Sequence, residues 1–107
     1  MKQELQPQIL TRLERCLRDE YRDRLSCLIL FGSQARGDAE DGSDIDVLVV
    51  LKGKVSPGLE VTRISPITAS LSLQYDVVIS CVFVSEKRYQ SEMSPLLMNV
   101  RREGVAI

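Results

Sequence analysis

Two carboxylates start what otherwise reads as a buried strand. In the stretch GSQARGDAEDGSDIDVLVV, Gly32 to Val50, five acidic residues fall within nine positions, Asp38 to Asp46. The last two, Asp44 and Asp46, run into the apolar segment Val47 to Leu51. In an extended chain alternate side chains share a face, so Asp44 and Asp46 project together, ~6.6 Å apart along the strand, while Ile45 and Val47 face the core. Two like charges at ~4 Å and an effective dielectric of ~20 repel by roughly 4 kcal/mol. Water, protonation of one group or a cation between them relieves that. An all-carboxylate pair suits a hard, oxygen-seeking ion such as Mg²⁺.

Gly32 and Ser33 supply a second kind of chemistry. They follow an apolar stretch, Leu25 to Phe31, that reads as a strand. Glycine lets a ligand approach the backbone, and Ser33 is expected to cap a short helix through Gln34, Ala35 and Arg36. Such a helix start presents N–H groups and a hydroxyl to a phosphate, and Arg36, one turn on, adds a candidate charged contact. A surface pair between Arg36 and Asp38 is the competing expectation. Asp38, Glu40 and Asp41 read as an ordinary polar turn.

The elements that must position these groups are legible in outline. Leu5, Ile9, Leu13, Cys16 and Leu17 recur at helical spacing and predict a helix from Leu5 to about Arg24, with Pro7 in its first turn. Its other face alternates Arg12, Arg15, Arg18 and Arg22 with acids, and Glu14–Arg18 and Glu20–Arg24 are spaced to pair, so it reads as a solvated face. Asp44 to Leu51 is a second strand and Asp76 to Val84 a third, both rich in Val and Ile. Between them Leu59, Ile64, Ile67 and Leu71 mark a helix, with a break or kink expected at Pro66 and Ser65 capping the second piece. Ser94-Pro95 starts a last helix, Leu96, Leu97 and Val100 follow it, and Gly104 ends it.

If Ser33, at the end of the first strand, and Asp44, at the start of the second, line one site, those strands run antiparallel. A helical crossover then makes the third strand parallel to the second. Asp76, as the first residue of that third strand, falls at the same edge. Three acids, a phosphate-holding turn and divalent ions together describe nucleotide chemistry by two metal ions.

Other chemistries are excluded or disfavoured. The chain contains no histidine, so His-based triads and dyads are ruled out. Three scattered cysteines, Cys16, Cys27 and Cys81, form no zinc motif and read as buried reduced thiols. Gly32 and Gly37 match the frame of a P-loop, but Asp38-Ala39 stands where Lys-Ser/Thr is required, and an EF-hand placed with Gly42 at its sixth position puts Gly37 at its first. Fourteen Lys and Arg against fifteen Asp and Glu leave a net charge of −1, so no direct nucleic-acid partner is expected. The apolar stretches are too short to span a membrane, and the polar start carries no signal peptide, so a cytoplasmic protein is expected. At 107 residues, one domain over 1–107 is the expectation.

Gly32-Ser33, ten residues and then Asp44-Ile45-Asp46 resembles the signature of the DNA polymerase β nucleotidyltransferase superfamily. The longer text FGSQARGDAEDGSDIDVLVV and the tail SPLLMNVRREGVAI are similar to its minimal nucleotidyltransferase (MNT) domains. The resemblance covers nearly the whole chain. It implies an α/β (α+β) polymerase β-like fold with a small mixed sheet of three to four strands packed with helices. It also implies that Gly32 and Ser33 hold the β and γ phosphates of ATP, that Asp44 and Asp46 bind Mg²⁺, and that Asp76 is the third acid, a ligand of one of two ions and an aid to deprotonation. MNT proteins are often paired with a HEPN-domain ribonuclease toxin, and the resemblance implies an antitoxin that transfers AMP from ATP to a tyrosine of that toxin, forming a hetero-oligomer with it. A non-catalytic antitoxin that neutralises its toxin by contact, through Met93, Leu96, Leu97 and Val100, is the alternative. Larger family members continue into substrate-binding domains, so this chain is not expected to grip an acceptor alone.

Overall fold

The computed structural model describes residues 6–36 and 44–107. In chain order the elements are α1 (Gln6–Tyr21) with a 3-10 turn (Arg22–Arg24), β1 (Leu25–Phe31), α2 (Ser33–Arg36), β2 (Ile45–Leu51) and α3 (Pro57–Tyr75). They are followed by β3 (Ile79–Ser85), α4 (Glu86–Ser91), α5 (Pro95–Glu103) and β4 (Val105–Ala106). Leu5 and the acidic turn of Asp38, Glu40 and Asp41 lie outside the described residues.

The four strands form one mixed sheet in the order β3-β2-β1-β4. As expected, β1 and β2 are antiparallel, with Phe31 opposite Asp46, and β2 and β3 are parallel, with Ile45 opposite Ile79 and Asp46 opposite Ser80. The alternation of side chains divides the sheet into two apolar faces. One carries Leu28, Leu30, Ile45, Val47, Val49 and Phe83 against α1 and α3, whose Ile9, Leu13, Leu17, Ile64 and Leu71 are buried. The other carries Ile29, Leu48, Val50 and Val84 against Leu97 and Val100 of α5. Leu97 and Val100 are therefore core, whereas Met93 and Leu96 are exposed.

Proline does not break α3. The helix runs unbroken from Pro57 to Tyr75 with Pro66 inside it. Pro66 has no N–H, so the carbonyl of Thr62, four residues earlier, loses its backbone donor. The Ser65 hydroxyl donates to that carbonyl at 3.0 Å. Ser65 thus repairs the ladder beside the proline instead of capping a second helix.

The third strand begins later than its apolar run suggests. Asp76 is the C-cap of α3, in the left-handed region at φ 52°, and the Val77 N–H donates back to the Ser72 carbonyl at 3.1 Å. This six-to-one closure satisfies the helix end, and Asp tolerates the left-handed conformation better than a β-branched residue does. The chain joins β2 only afterwards, through the Ile45 N–H to the Val78 carbonyl at 2.9 Å.

The C-terminal end adds a short strand that two residues are too few to signal by pattern. β4 pairs antiparallel with β1, Leu30 opposite Val105. A Cβ on Gly104 would lie 2.5 Å from both Ile29 Cγ2 and the Val100 carbonyl oxygen, so only glycine lets α5 turn this closely onto β1. Glu14 and Arg18 pair at 3.1 Å as the spacing predicts, but Arg24 reaches the buried Glu60 of α3 at 3.6 Å rather than Glu20. The three cysteines are free and only half-buried, and burial pushes the Cys81 thiol up to about 12. Among the described residues no helix is long and apolar enough to cross a membrane.

Candidate active site

The end of β1 brings its backbone onto a carboxylate of β2. Phe31 is the antiparallel partner of Asp46, and Gly32 turns immediately beyond it with φ +78°, a conformation that suits glycine. A Cβ built on Gly32 would lie 2.7 Å from Asp46 Oδ2 and 3.5 Å from its Cγ. The missing side chain is what lets the turn and the carboxylate share this space.

The turn then becomes α2. The Gly32 carbonyl accepts from the N–H groups of Ala35 and Arg36 at 3.1 and 3.2 Å. Gly32 is therefore the capping residue, and Ser33 occupies the first helical position instead of the cap expected of it. The side chain of Ser33 is half-buried and has no hydrogen-bond partner among the described residues. A helix start of this kind leaves its first N–H groups without intrahelical acceptors. Gln34, which composition alone did not single out, is buried at this turn.

Arg36 is exposed and pairs with Glu103 of α5, Nη1 to Oε2 3.4 Å. The pair ties α2 to α5 and so supports the turn from behind. The sequence gives no sign of that partner, because 67 positions separate the two residues.

Asp44 is exposed and Asp46 half-buried. Neither carboxylate has a hydrogen-bond or ion-pair partner among the described residues. Burial, and then the charge of Asp44, hold the Asp46 carboxyl above its ordinary value. Two hard oxygen donors, in electrostatic conflict and unrelieved by Lys or Arg, are the donor set that a divalent cation fits. Asp44 and Asp46 are the residues that would hold such an ion.

Asp76 is not the first residue of β3. It sits in the helix cap, exposed, three residues before β3 begins. Among the described residues no three His, Cys, Asp or Glu side chains gather as ligands for one ion. The parallel register sets Ser80 directly beside Asp46, and Val78 lies beside Asp44. Reading these two neighbours from sequence required the β2–β3 register, which the apolar run does not specify.

A profile of the nucleotidyltransferase domain family matches residues 10–99. A relative from Methanocaldococcus jannaschii, named "Putative protein adenylyltransferase MJ0604", is 37% identical over 89 residues, covering 82% of this chain and 83% of its own. Among solved structures, a toxin-antitoxin crystal structure with AMP-PNP superposes with a TM-score of 0.65 at 23% identity, over 90% of this chain and 69% of the other. A mutant of the toxin-antitoxin MntA-HpeT gives a TM-score of 0.61 at 19% identity, over 88% and 68%. At these identities the structural likeness is a likeness of fold.

Proposed function

Since the chain belongs to the nucleotidyltransferase domain family, we propose that it is an antitoxin that transfers AMP from ATP to a tyrosine of a partner HEPN ribonuclease toxin. The observation that carries the proposal is the junction of Gly32 and Asp46: a turn with no Cβ, where one would lie 2.7 Å from Asp46 Oδ2, beside a second unpaired carboxylate. The name of the archaeal relative supports protein adenylylation, and the toxin-antitoxin neighbours support the kind of partner.

In this reading Gly32 and Ser33 bind the β and γ phosphates through the backbone and hydroxyl of the turn. Asp44 and Asp46 hold Mg²⁺, which when bound supplies charge neutralisation at the phosphate oxygens. The phenolic oxygen of the acceptor bonds to the α-phosphorus, the bond to the pyrophosphate oxygen breaks, and the phenolic proton leaves to solvent base. Arg36 supports the turn through Glu103, and Asp76 is not counted among the ligands.

The experiment combines purified protein, Mg²⁺, ATP labelled at the α-phosphate, and the protein that co-purifies with this chain. Label on the partner that disappears with Asp44→Ala and Asp46→Ala supports the transferase. The second reading, neutralisation by binding, draws on the exposure of Met93 (70%) and Met98 (48%) around α5. Full neutralisation by the two alanine variants, with partner binding intact, would establish that reading instead.

A further inference from the structure

β2 lies between β1 and β3, so the carboxylate pair has two flanks. The β1 flank is the Gly32 turn, which meets Asp46 directly. The β3 flank is made of Val78, beside Asp44, and Ser80, in register with Asp46. Val78 is an apolar side chain left 55% exposed, although the rest of this sheet face is covered by α5 further along. Ser80 is half-buried, and its hydroxyl has no hydrogen-bond partner among the described residues.

Phosphoryl transfer constrains what this second flank faces. The attacking oxygen and the leaving oxygen stand roughly in line through the phosphorus. With the β and γ phosphates on the Gly32 turn, pyrophosphate leaves toward β1. The acceptor hydroxyl must then arrive from the side of β3. An exposed apolar side chain two residues before an open hydroxyl on β3 suits an aromatic ring that carries an –OH. It suits a polyhydroxylated sugar poorly, because a sugar would leave Val78 unpaired and bring hydroxyls that a single serine cannot satisfy.

We propose that Val78 and Ser80 form the acceptor shelf, Val78 packing against the ring of the acceptor tyrosine and Ser80 hydrogen-bonding its hydroxyl. This rests on the nucleotidyltransferase reading for its geometry, and it names residues that the motif does not contain. Val78 is exposed, so its replacement tests recognition with little cost to folding.

Two measurements on the full chain decide it. In the first, methyl and amide resonances are followed while Mg²⁺ with AMP-PNP and then N-acetyl-tyrosinamide are added. The nucleotide is expected to move the amides of Gly32 and Ser33. N-acetyl-tyrosinamide is expected to move the Val78 methyls and the Ser80 amide, N-acetyl-serinamide to move them less, and neither to move Val61, an exposed valine on α3. Unmoved Val78 and Ser80, or equal shifts at Val61, overturn the shelf. Unmoved Gly32 and Ser33 overturn the nucleotide site, while the tyrosinamide response still judges the shelf. In the second, the neutral replacement Val78→Asn is expected to raise the KM for the protein acceptor about ten-fold or more while the KM for ATP stays within about two-fold. An unchanged acceptor KM, or equal changes in both, overturns the proposal.

Discussion

Replacing Gly32 by alanine tests whether the turn and the carboxylate are packed as one unit. Alanine at φ +78° carries the left-handed penalty, about 1–2 kcal/mol. Its Cβ would also stand 2.7 Å from Asp46 Oδ2, so the carboxylate must move by several tenths of an ångström. A coupling of about 1 kcal/mol is typical for residues in direct contact. The lower entropy of the unfolded alanine chain offsets about 0.4–1 kcal/mol. The net cost is about 2 kcal/mol, which for a domain of this size lowers the midpoint of thermal unfolding by about 10 °C. The assay is a double-mutant cycle with Asp46→Ala, followed by circular dichroism melts without divalent ions. Gly32→Ala should cost about 2 kcal/mol with Asp46 present and about 1 kcal/mol once that side chain is gone. An identical cost in both backgrounds would show that the side chains do not meet, and the geometry on which the site is built would fall with it. In labelled transfer the single variant should lose about 10²-fold, the usual consequence of misplacing a reacting group by about 1 Å.

The unpaired carboxylates make a second prediction, on pH. The Asp46 carboxyl is raised in the fold by burial and by Asp44, so the unfolded chain ionises first as pH rises. The folded state then binds more protons, and stability falls from the ordinary carboxylate value (~3.9) upward to the raised one, remaining reduced above it. Without divalent ions Asp46→Asn should therefore unfold at higher denaturant than the parent at neutral pH and at the same denaturant in acid; Mg²⁺ should stabilise the parent and not the variant. An equal midpoint for the two proteins at both pH values would refute the electrostatic conflict. The third prediction concerns α3. Pro66→Ala should stabilise the fold by about 1–2 kcal/mol by restoring a helix donor, and Ser65→Ala should cost about 1 kcal/mol in the parent and less in Pro66→Ala, where the Thr62 carbonyl regains its backbone partner. Additive effects in urea melts would show that the Ser65 hydroxyl does not compensate for the proline.

Local chemistry made much of this protein legible before folding was considered. The apolar run Leu25–Phe31 is β1 residue for residue, and the Ser94, Pro95 and Gly104 signals bound α5. Those features are encoded by neighbours in the chain: side-chain branching, a missing N–H, a hydroxyl three residues from an N–H. The pairing of Asp44 with Asp46 belongs to the same class, because strand alternation alone puts them on one side. Pro66 was misleading for an equally local reason, a hydroxyl one residue away that propensity does not count.

What lies on the far side of those carboxylates is a matter of register and chain closure. Nothing near Asp46 in the chain says that Ser80 stands beside it, that Arg36 reaches Glu103, or that Asp76 takes the left-handed cap position of α3. Register is a collective outcome of two packed faces, since a slip by one residue would exchange them, carrying Ile45, Val47 and Val49 to the α5 side and the acids to the side of α1 and α3. The sequence by itself determined which residues are the candidates for the chemistry. The tertiary structure decided which groups flank them, because only the packed sheet brings β3 alongside β2 at one particular offset.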